Sequence, residues 1–277
     1  MLLFKVGSYY VSRKNRPTLK QRIRFWKKPK EVCQIVVKAG KRNIVNEAFR
    51  VLRTNFEFTI GTHPEQNVIV FTSLNQGSGK SHLAANMAMS LAIKKKKVLL
   101  IDGDLRHGSA SMLVGSPGEG LSDYLNGRIA DIHDILHKGE ESGLVKYFDV
   151  IPIGTIPPNP TELLFTPLLE QMIRQMRQEY DYVFIDCPPI EVVADTPIYE
   201  QFADRTIFVV RAGLMERSML PEIDALYKEK KFKNMTMILN ATKARGGRYG
   251  SHYGYGYGYG YGYGYNYNKE KNGGAKS

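Results

Sequence analysis

Six short runs of nearly unbroken apolar residues recur along the chain: NVIVFTSL (67–74), KVLLID (97–102), YFDVIPI (147–153), YDYVFID (180–186), RTIFVVR (205–211) and NMTMILN (234–240). A strand with one wet face alternates apolar and polar residues, whereas a strand apolar at both parities must be covered on both faces. Helical stretches separate several of these runs, among them NEAFRVLRTNFEFTI (46–60), SHLAANMAMSLAIKK (81–95) and TELLFTPLLEQMIRQMRQEY (161–180). Buried strands alternating with helices predict an α/β fold, a mostly parallel sheet flanked by helices. The 277 residues suffice for one such domain with appendages.

The appendages differ sharply from the body. Residues 1–46 hold thirteen Lys and Arg against the single acid Glu31, so the whole formal charge of +12 lies there and the remainder is neutral. That stretch, with RKNRP and RFWKKPK, has no sustained apolar period and reads as a mostly irregular basic arm. The neutral body disfavours nucleic acid as a partner, and the arm offers only Phe25 and Trp26 for stacking in its most basic part. No run reaches the roughly 18 apolar residues of a membrane span and no signal-peptide core opens the chain, so a cytosolic location is expected. Cys33 and Cys187 have neither a disulfide framework nor metal-ligand spacing, which leaves two reduced thiols. Beyond Arg245 the composition shifts to Gly, Tyr and Asn, with Tyr at every second position from Tyr253 to Tyr267. Glycine weakens strands and no second apolar face exists to bury, so residues 246–277 read as a disordered tail.

The chemistry gathers where strands end. SLNQGSGKS follows the first run, and a strand–glycine turn–helix points backbone N–H groups at one spot suited to phosphate. Gly77, Ser78 and Gly79 would cradle a nucleotide, Lys80 would neutralise its phosphates and Ser81 would ligate Mg²⁺. The strict pattern wants glycine at position 74, where Leu74 stands. LLIDGDLR places Asp102 and Asp104 at the end of the second run, and YVFIDCPP places Asp186 at the end of another. Three strand-end carboxylates around one phosphate loop make a Mg²⁺ site and leave one free as a base. His82 reads as an ordinary helical residue.

Together these motifs resemble the bacterial tyrosine kinases of capsule and exopolysaccharide synthesis, relatives of the MinD/ParA-like P-loop ATPases. The resemblance runs from about Glu47 to the end of the tail and also takes in GLSDYLNG (120–127) and GTIPPNPTELL (154–164). It implies a P-loop kinase domain over 47–245, between the arm (1–46) and the tail (246–277), with ATP and Mg²⁺ as cofactors. By resemblance Asp102 is the base towards an incoming tyrosine hydroxyl, Lys80 and Ser81 hold nucleotide and metal, and Asp104 and Asp186 organise Mg²⁺. Arg106 completes the second motif, and Asn240 matches a position that contacts adenine in related ATPases. Asn75 stands where MinD/ParA-type ATPases carry a lysine that reaches across a dimer, and the kinase branch lacks that lysine.

Glu47, Arg50 and Arg53 in EAFRVLR match the family's self-association motif, which implies a ring-type homo-oligomer. Tyr249, Tyr253, Tyr255, Tyr257, Tyr259, Tyr261, Tyr263, Tyr265 and Tyr267 are then the phosphoacceptors, entered in trans into a neighbouring site. The resemblance further implies a membrane adaptor or polysaccharide co-polymerase, in cis or in trans, and a tyrosine phosphatase. The basic arm suits an anionic membrane surface, placing the protein at the inner face of the cell membrane. Two other readings compete: a MinD/ParA-like ATPase without a protein acceptor, and a nucleotide-binding structural ring whose tail mediates cohesion. Asn75 and the tyrosine row argue against the first, and the intact Lys80, Asp102, Asp104 and Asp186 against the second.

Overall fold

The computed structural model describes the backbone of residues 2–7 and, with side chains, residues 33–60, 65–191 and 195–242. The chain divides into two units, Met1–Lys243 and Ala244–Ser277. All nine tail tyrosines lie outside the described residues, as does the most basic part of the arm, residues 8–32.

Seven strands form one sheet: β1 (Leu2–Gly7), β2 (Val68–Thr72), β3 (Val98–Asp102), β4 (Phe148–Ile151), β5 (Tyr182–Asp186), β6 (Arg205–Arg211) and β7 (Thr236–Thr242). Their order is β1-β7-β6-β2-β5-β3-β4, and every neighbouring pair is parallel. The helices are α1 (Ile44–Ile60), α2 (Lys80–Ala92), α3 (Leu121–Leu125), α4 (Pro160–Leu163), α5 (Pro167–Glu179), α6 (Asp195–Glu200) and α7 (Leu220–Lys228).

The double-sided apolar runs do what their pattern requires. Ile69 and Phe71 of β2 join Val98 and Leu100 of β3 in a core beneath α1 and α2. The alternate residues Val68, Val70, Leu99 and Ile101 face the other way, against Leu169, Met172, Ile173 and Met176 of α5. On β6 and β7, Phe208, Val210 and Met237 pack with Ile223 of α7. Helix α2 is buried nearly all round, as a helix caught between a sheet and a second helix must be.

Three features depart from the sequence expectation. The arm begins with a strand: LLFKVG lies parallel to β7, from Leu2 opposite Thr236 to Gly7 opposite Thr242. Six residues are too few to show a period, and the partner edge that makes them a strand is remote in sequence. The arm's last residues also belong to the folded body, since Cys33 and Val37 are buried. The Asn86 carboxamide of α2 holds that segment, accepting from Val36 N at 2.7 Å and Val37 N at 3.1 Å and donating to Gln34 O at 2.8 Å. Finally, the helix expected over 161–180 is two helices. Thr166 is extended at φ −73°, ψ 145° because Pro167 follows it and starts α5, and a residue before proline avoids the helical region.

Phe56 of α1 is buried against Tyr182 and Phe184, at ring separations of 5.6 and 5.7 Å. Phe56→Ala should destabilise by about 3–5 kcal/mol, read as a fall in urea midpoint at unchanged slope. His133 lies between Asp131, with Nδ1–Oδ1 of 2.8 Å, and Glu179, with Nε2–Oε2 of 3.1 Å. Its hydrogen bond to Asp131, then that to Glu179, raises its pKa. A raised folded pKa stabilises below the unfolded value of about 6.5 and stops doing so as pH rises through the folded value. His133→Gln should therefore lower Tm at about pH 5.5 and leave it unchanged at about pH 9, measured by thermal melts across that range.

Candidate active site

The chain leaves β2 towards β3 and leaves β5 towards β6, in opposite directions across the sheet. Such a divergence opens a crevice at the carboxyl ends of the strands. The residues following β2 enter it. They turn through Gly77 and Gly79, at φ of 76° and 91°, a region that strains any residue with a Cβ. At Gly79 a Cβ would also collide with the Asn240 carboxamide nitrogen. Lys80 then opens α2.

Side chains of the loop itself and of two distant strands brace it. Ser73 Oγ and Ser78 Oγ each donate to Asn75 O at 2.8 Å. Asn240 Nδ2 donates to Ser78 O at 2.9 Å and Arg211 Nη1 to Gly77 O at 2.7 Å. The other end of the Asn240 carboxamide accepts from Ala241 N of its own strand at 2.8 Å, so one end grips the loop and the other is fixed to β7. Leu74, where the strict pattern has glycine, is a core residue in the cluster of Phe208, Val210 and Ile223. Asn75 donates to Glu191 Oε2 at 2.7 Å.

Beside the loop, Asp102 and Asp186 stand opposite each other at the ends of β3 and β5, both buried. Asp102 Oδ2 accepts from Ser111 N and Ser111 Oγ, each at 2.7 Å, while its Oδ1 has no hydrogen-bond partner. Burial foremost, then the charge of Asp186, raises the pKa of Asp102. Burial also raises that of Asp186, against the opposing pull of the Lys80 cation and the Ser81 hydroxyl. Gly103 donates from its N to Asp186 O at 2.9 Å. Asp104 Oδ1 lies 3.2 Å from His107 Nδ1 and accepts from Arg106 N at 3.3 Å.

The structure thus brings Gly77, Ser78, Gly79, Lys80, Ser81, Asp102, Asp104, Arg106, Asp186 and Asn240 to one edge. Asp102 and Asp186 each retain a buried carboxylate oxygen without a partner, the donor a hard cation takes. Among the described residues no three His, Cys, Asp or Glu form a self-contained metal cage. Mg²⁺ needs none, being held by one or two carboxylates with phosphate oxygens and water, and Ser81, Asp104 and Asp186 fit that role.

Glu47, Arg50 and Arg53 sit apart on α1. Glu47 and Arg50 are exposed and pair with each other at 2.6 Å, whereas Arg53 is buried and donates to Ser90 O at 2.7 Å and Ser90 Oγ at 3.1 Å. Three-residue steps drift around a helix, because 3.6 residues make a turn. By Arg53 the stripe has rotated from solvent onto α2.

A family model described as an AAA domain matches residues 65–215. Tyrosine-protein kinase CpsD of Streptococcus agalactiae is 34% identical over 208 residues, 74% of this chain and 87% of its own length. The chain belongs to the bacterial tyrosine-protein kinases. Tyrosine-protein kinase wzc of Salmonella typhimurium is 35% identical over 184 residues, 64% of this chain and only 24% of that longer protein. Among solved structures, the kinase domain of Escherichia coli tyrosine kinase ETK superposes with a TM-score of 0.72 at 27% identity, covering 93% of this chain and 95% of that one.

For a tyrosine-protein kinase, four site residues escape a reading of the sequence: Ser111, Thr161, Asp195 and Arg211. Arg211 ends an apolar strand as Asp186 does, and that position was its available signal. Ser111, Thr161 and Asp195 come from loops and short helices whose meeting no motif announces. Gly79→Ala should fold and yet weaken nucleotide binding about tenfold or more, since about 1–2 kcal/mol of left-handed strain falls on the loop. Titration with a fluorescent ADP analogue measures it. Ser111→Ala should cost about 1–3 kcal/mol of stability by stripping a buried carboxylate of one donor, read from urea unfolding.

Proposed function

We propose that this protein is an ATP-dependent protein-tyrosine kinase that phosphorylates the tyrosine cluster Tyr249–Tyr267 of a neighbouring copy. The carrying observation is Asp102, a buried carboxylate with one oxygen fixed by Ser111 and the other unpartnered, next to the phosphate loop. The loop amides and Lys80 hold the ATP phosphates. The Asp102 oxygen without a partner takes the tyrosine proton as the phenolic oxygen forms its bond to the γ-phosphorus and the bond to the ADP oxygen breaks. Ser81, Asp104 and Asp186 would hold Mg²⁺, which would supply neutralisation of phosphate charge. Burial raises the proton affinity of Asp102, and a general base works best with its pKa near the operating pH. We read Asn240 as a brace of the phosphate loop and not as an adenine contact, given that both ends of its carboxamide are spoken for.

Resemblance to capsule and exopolysaccharide kinases supports regulation of surface polysaccharide synthesis and export. It also supports a ring of subunits that uses the exposed Glu47 and Arg50, a membrane adaptor or co-polymerase as activator, and a tyrosine phosphatase as antagonist. Among the described residues no helix is long and apolar enough to cross a membrane. The +12 arm fits attraction to an anionic inner-membrane surface, at about 1 kcal/mol per base. The domain limits on this reading are an arm over 1–46, a kinase body over 47–245 and a tail over 246–277, with residues 2–7 and 33–37 of the arm joined to that body.

Incubation with Mg-ATP followed by intact-mass spectrometry tests the kinase. Several phosphates should appear on the wild type and few or none on Lys80→Met or on a chain ending at Gly247. Unmodified wild type that releases ADP would favour a plain ATPase.

A further inference from the structure

The motif GTIPPNPTELL and the residues just after it contain none of the residues assigned to nucleotide or metal, yet the structure fastens them to the catalytic edge. Arg106 Nη2 donates to Thr161 Oγ1 at 3.1 Å, and Thr161 Oγ1 donates to Asp195 Oδ1 at 2.6 Å. Asp195 is 1% exposed, and its Oδ2 lies 3.6 Å from Arg106 Nε. One cluster therefore ties the segment after β4 to those after β3 and β5, beside Asp102 and Asp104.

The loop over residues 154–166 is also stiff. Thr155 N donates to Asp123 Oδ2 at 3.2 Å, Thr155 Oγ1 donates to Gly118 O at 3.0 Å, and Thr155 O accepts from Ser122 Oγ at 2.5 Å. Pro157, Pro158 and Pro160 fix three φ angles within four residues. From this rigid support Ile156 and Phe165 stand 61% and 68% exposed. Apolar side chains exposed to water on a braced backbone form a prepared surface, since little backbone ordering remains to be done when something covers them.

We propose that this loop is a shelf on which the Tyr/Gly tail of a second copy lies while its tyrosines reach the site. The proposal rests on the kinase reading and adds how the acceptor is recognised. From Tyr249 to Asn268 the tail carries no Lys, Arg, Asp or Glu, so ion pairs cannot select it. Its tyrosines recur at every second residue, and in an extended chain such residues share one face about 7 Å apart. Aromatic rings suit a surface that exposes isoleucine, phenylalanine and proline, and the intervening glycines let the backbone approach it. Because each step of two residues presents the same face, one shelf serves every tyrosine in turn.

The test pairs full-length wild type as enzyme with a ¹⁵N-labelled Lys80→Met chain as acceptor, the two being resolved by intact mass. Ile156→Ser with Phe165→Ser on the enzyme should slow phosphate incorporation into the acceptor about tenfold or more at subsaturating acceptor, with affinity for a fluorescent ADP analogue unchanged. The same pair of changes on the acceptor should have no effect. An unchanged rate with the substituted enzyme, or an equal loss when only the acceptor is substituted, overturns the shelf. A photo-crosslinking Tyr-Gly peptide added to the full chain gives a readout without catalysis. Crosslinks within 154–166 support the shelf and crosslinks confined to other surfaces overturn it. If the parent pair exchanges no phosphate, the kinase reading fails, and the crosslinks still decide the shelf.

Discussion

Asp102 and Asp186 end neighbouring strands of a sheet that is dry on both faces, and much of the site manages the resulting repulsion. Each carboxyl loses its hydration, and each raises the free energy of a charge on the other. Lys80 and Ser81 relieve Asp186, while Ser111 supports one oxygen of Asp102. What is left over is one unpartnered oxygen on each. A pair so placed favours a proton or a cation between strands β3 and β5, which is what the proposed kinase chemistry asks of them.

The repulsion exists because of strand order. Strand β5 is inserted between β2 and β3, although the chain reaches it only after β4. That insertion sets Asp186 against Asp102 on one side and beside the phosphate loop on the other. Burial on both faces leaves the carboxyl edge as the place where charged side chains can gather, since a polar group within either apolar layer would lack partners.

The phosphate loop is likewise held from outside its own segment. Strands β6 and β7 each send one side chain, Arg211 and Asn240, to carbonyls of the loop. Leu74 has exchanged a glycine's freedom for a place in the core under α7. The loop therefore depends on the sheet's packing as well as on its own glycines. Strand β7 also pairs with the chain's first strand, so the start of the basic arm is held at that edge of the sheet.

Local chemistry was legible from residue order alone: the six apolar runs, the glycines of the loop, Lys80 and Ser81, and carboxylates at strand ends. Each depends on a period or a spacing within a few residues, and those survive in one dimension. Composition set the charged arm apart from the body, yet residues 2–7 and 33–37 of that arm join the fold. The β1 strand, the docking of residues 33–37 on Asn86 and the inward turn of Arg53 were not legible, because their partners are remote in sequence. The same holds for the Arg106–Thr161–Asp195 cluster, whose members lie on a loop and two short helices. Sequence by itself determined which groups could do chemistry, because side-chain identity and local spacing set that. Only the tertiary structure decided which of them face one another, because strand order and helix rotation, not spacing along the chain, set the distances between them.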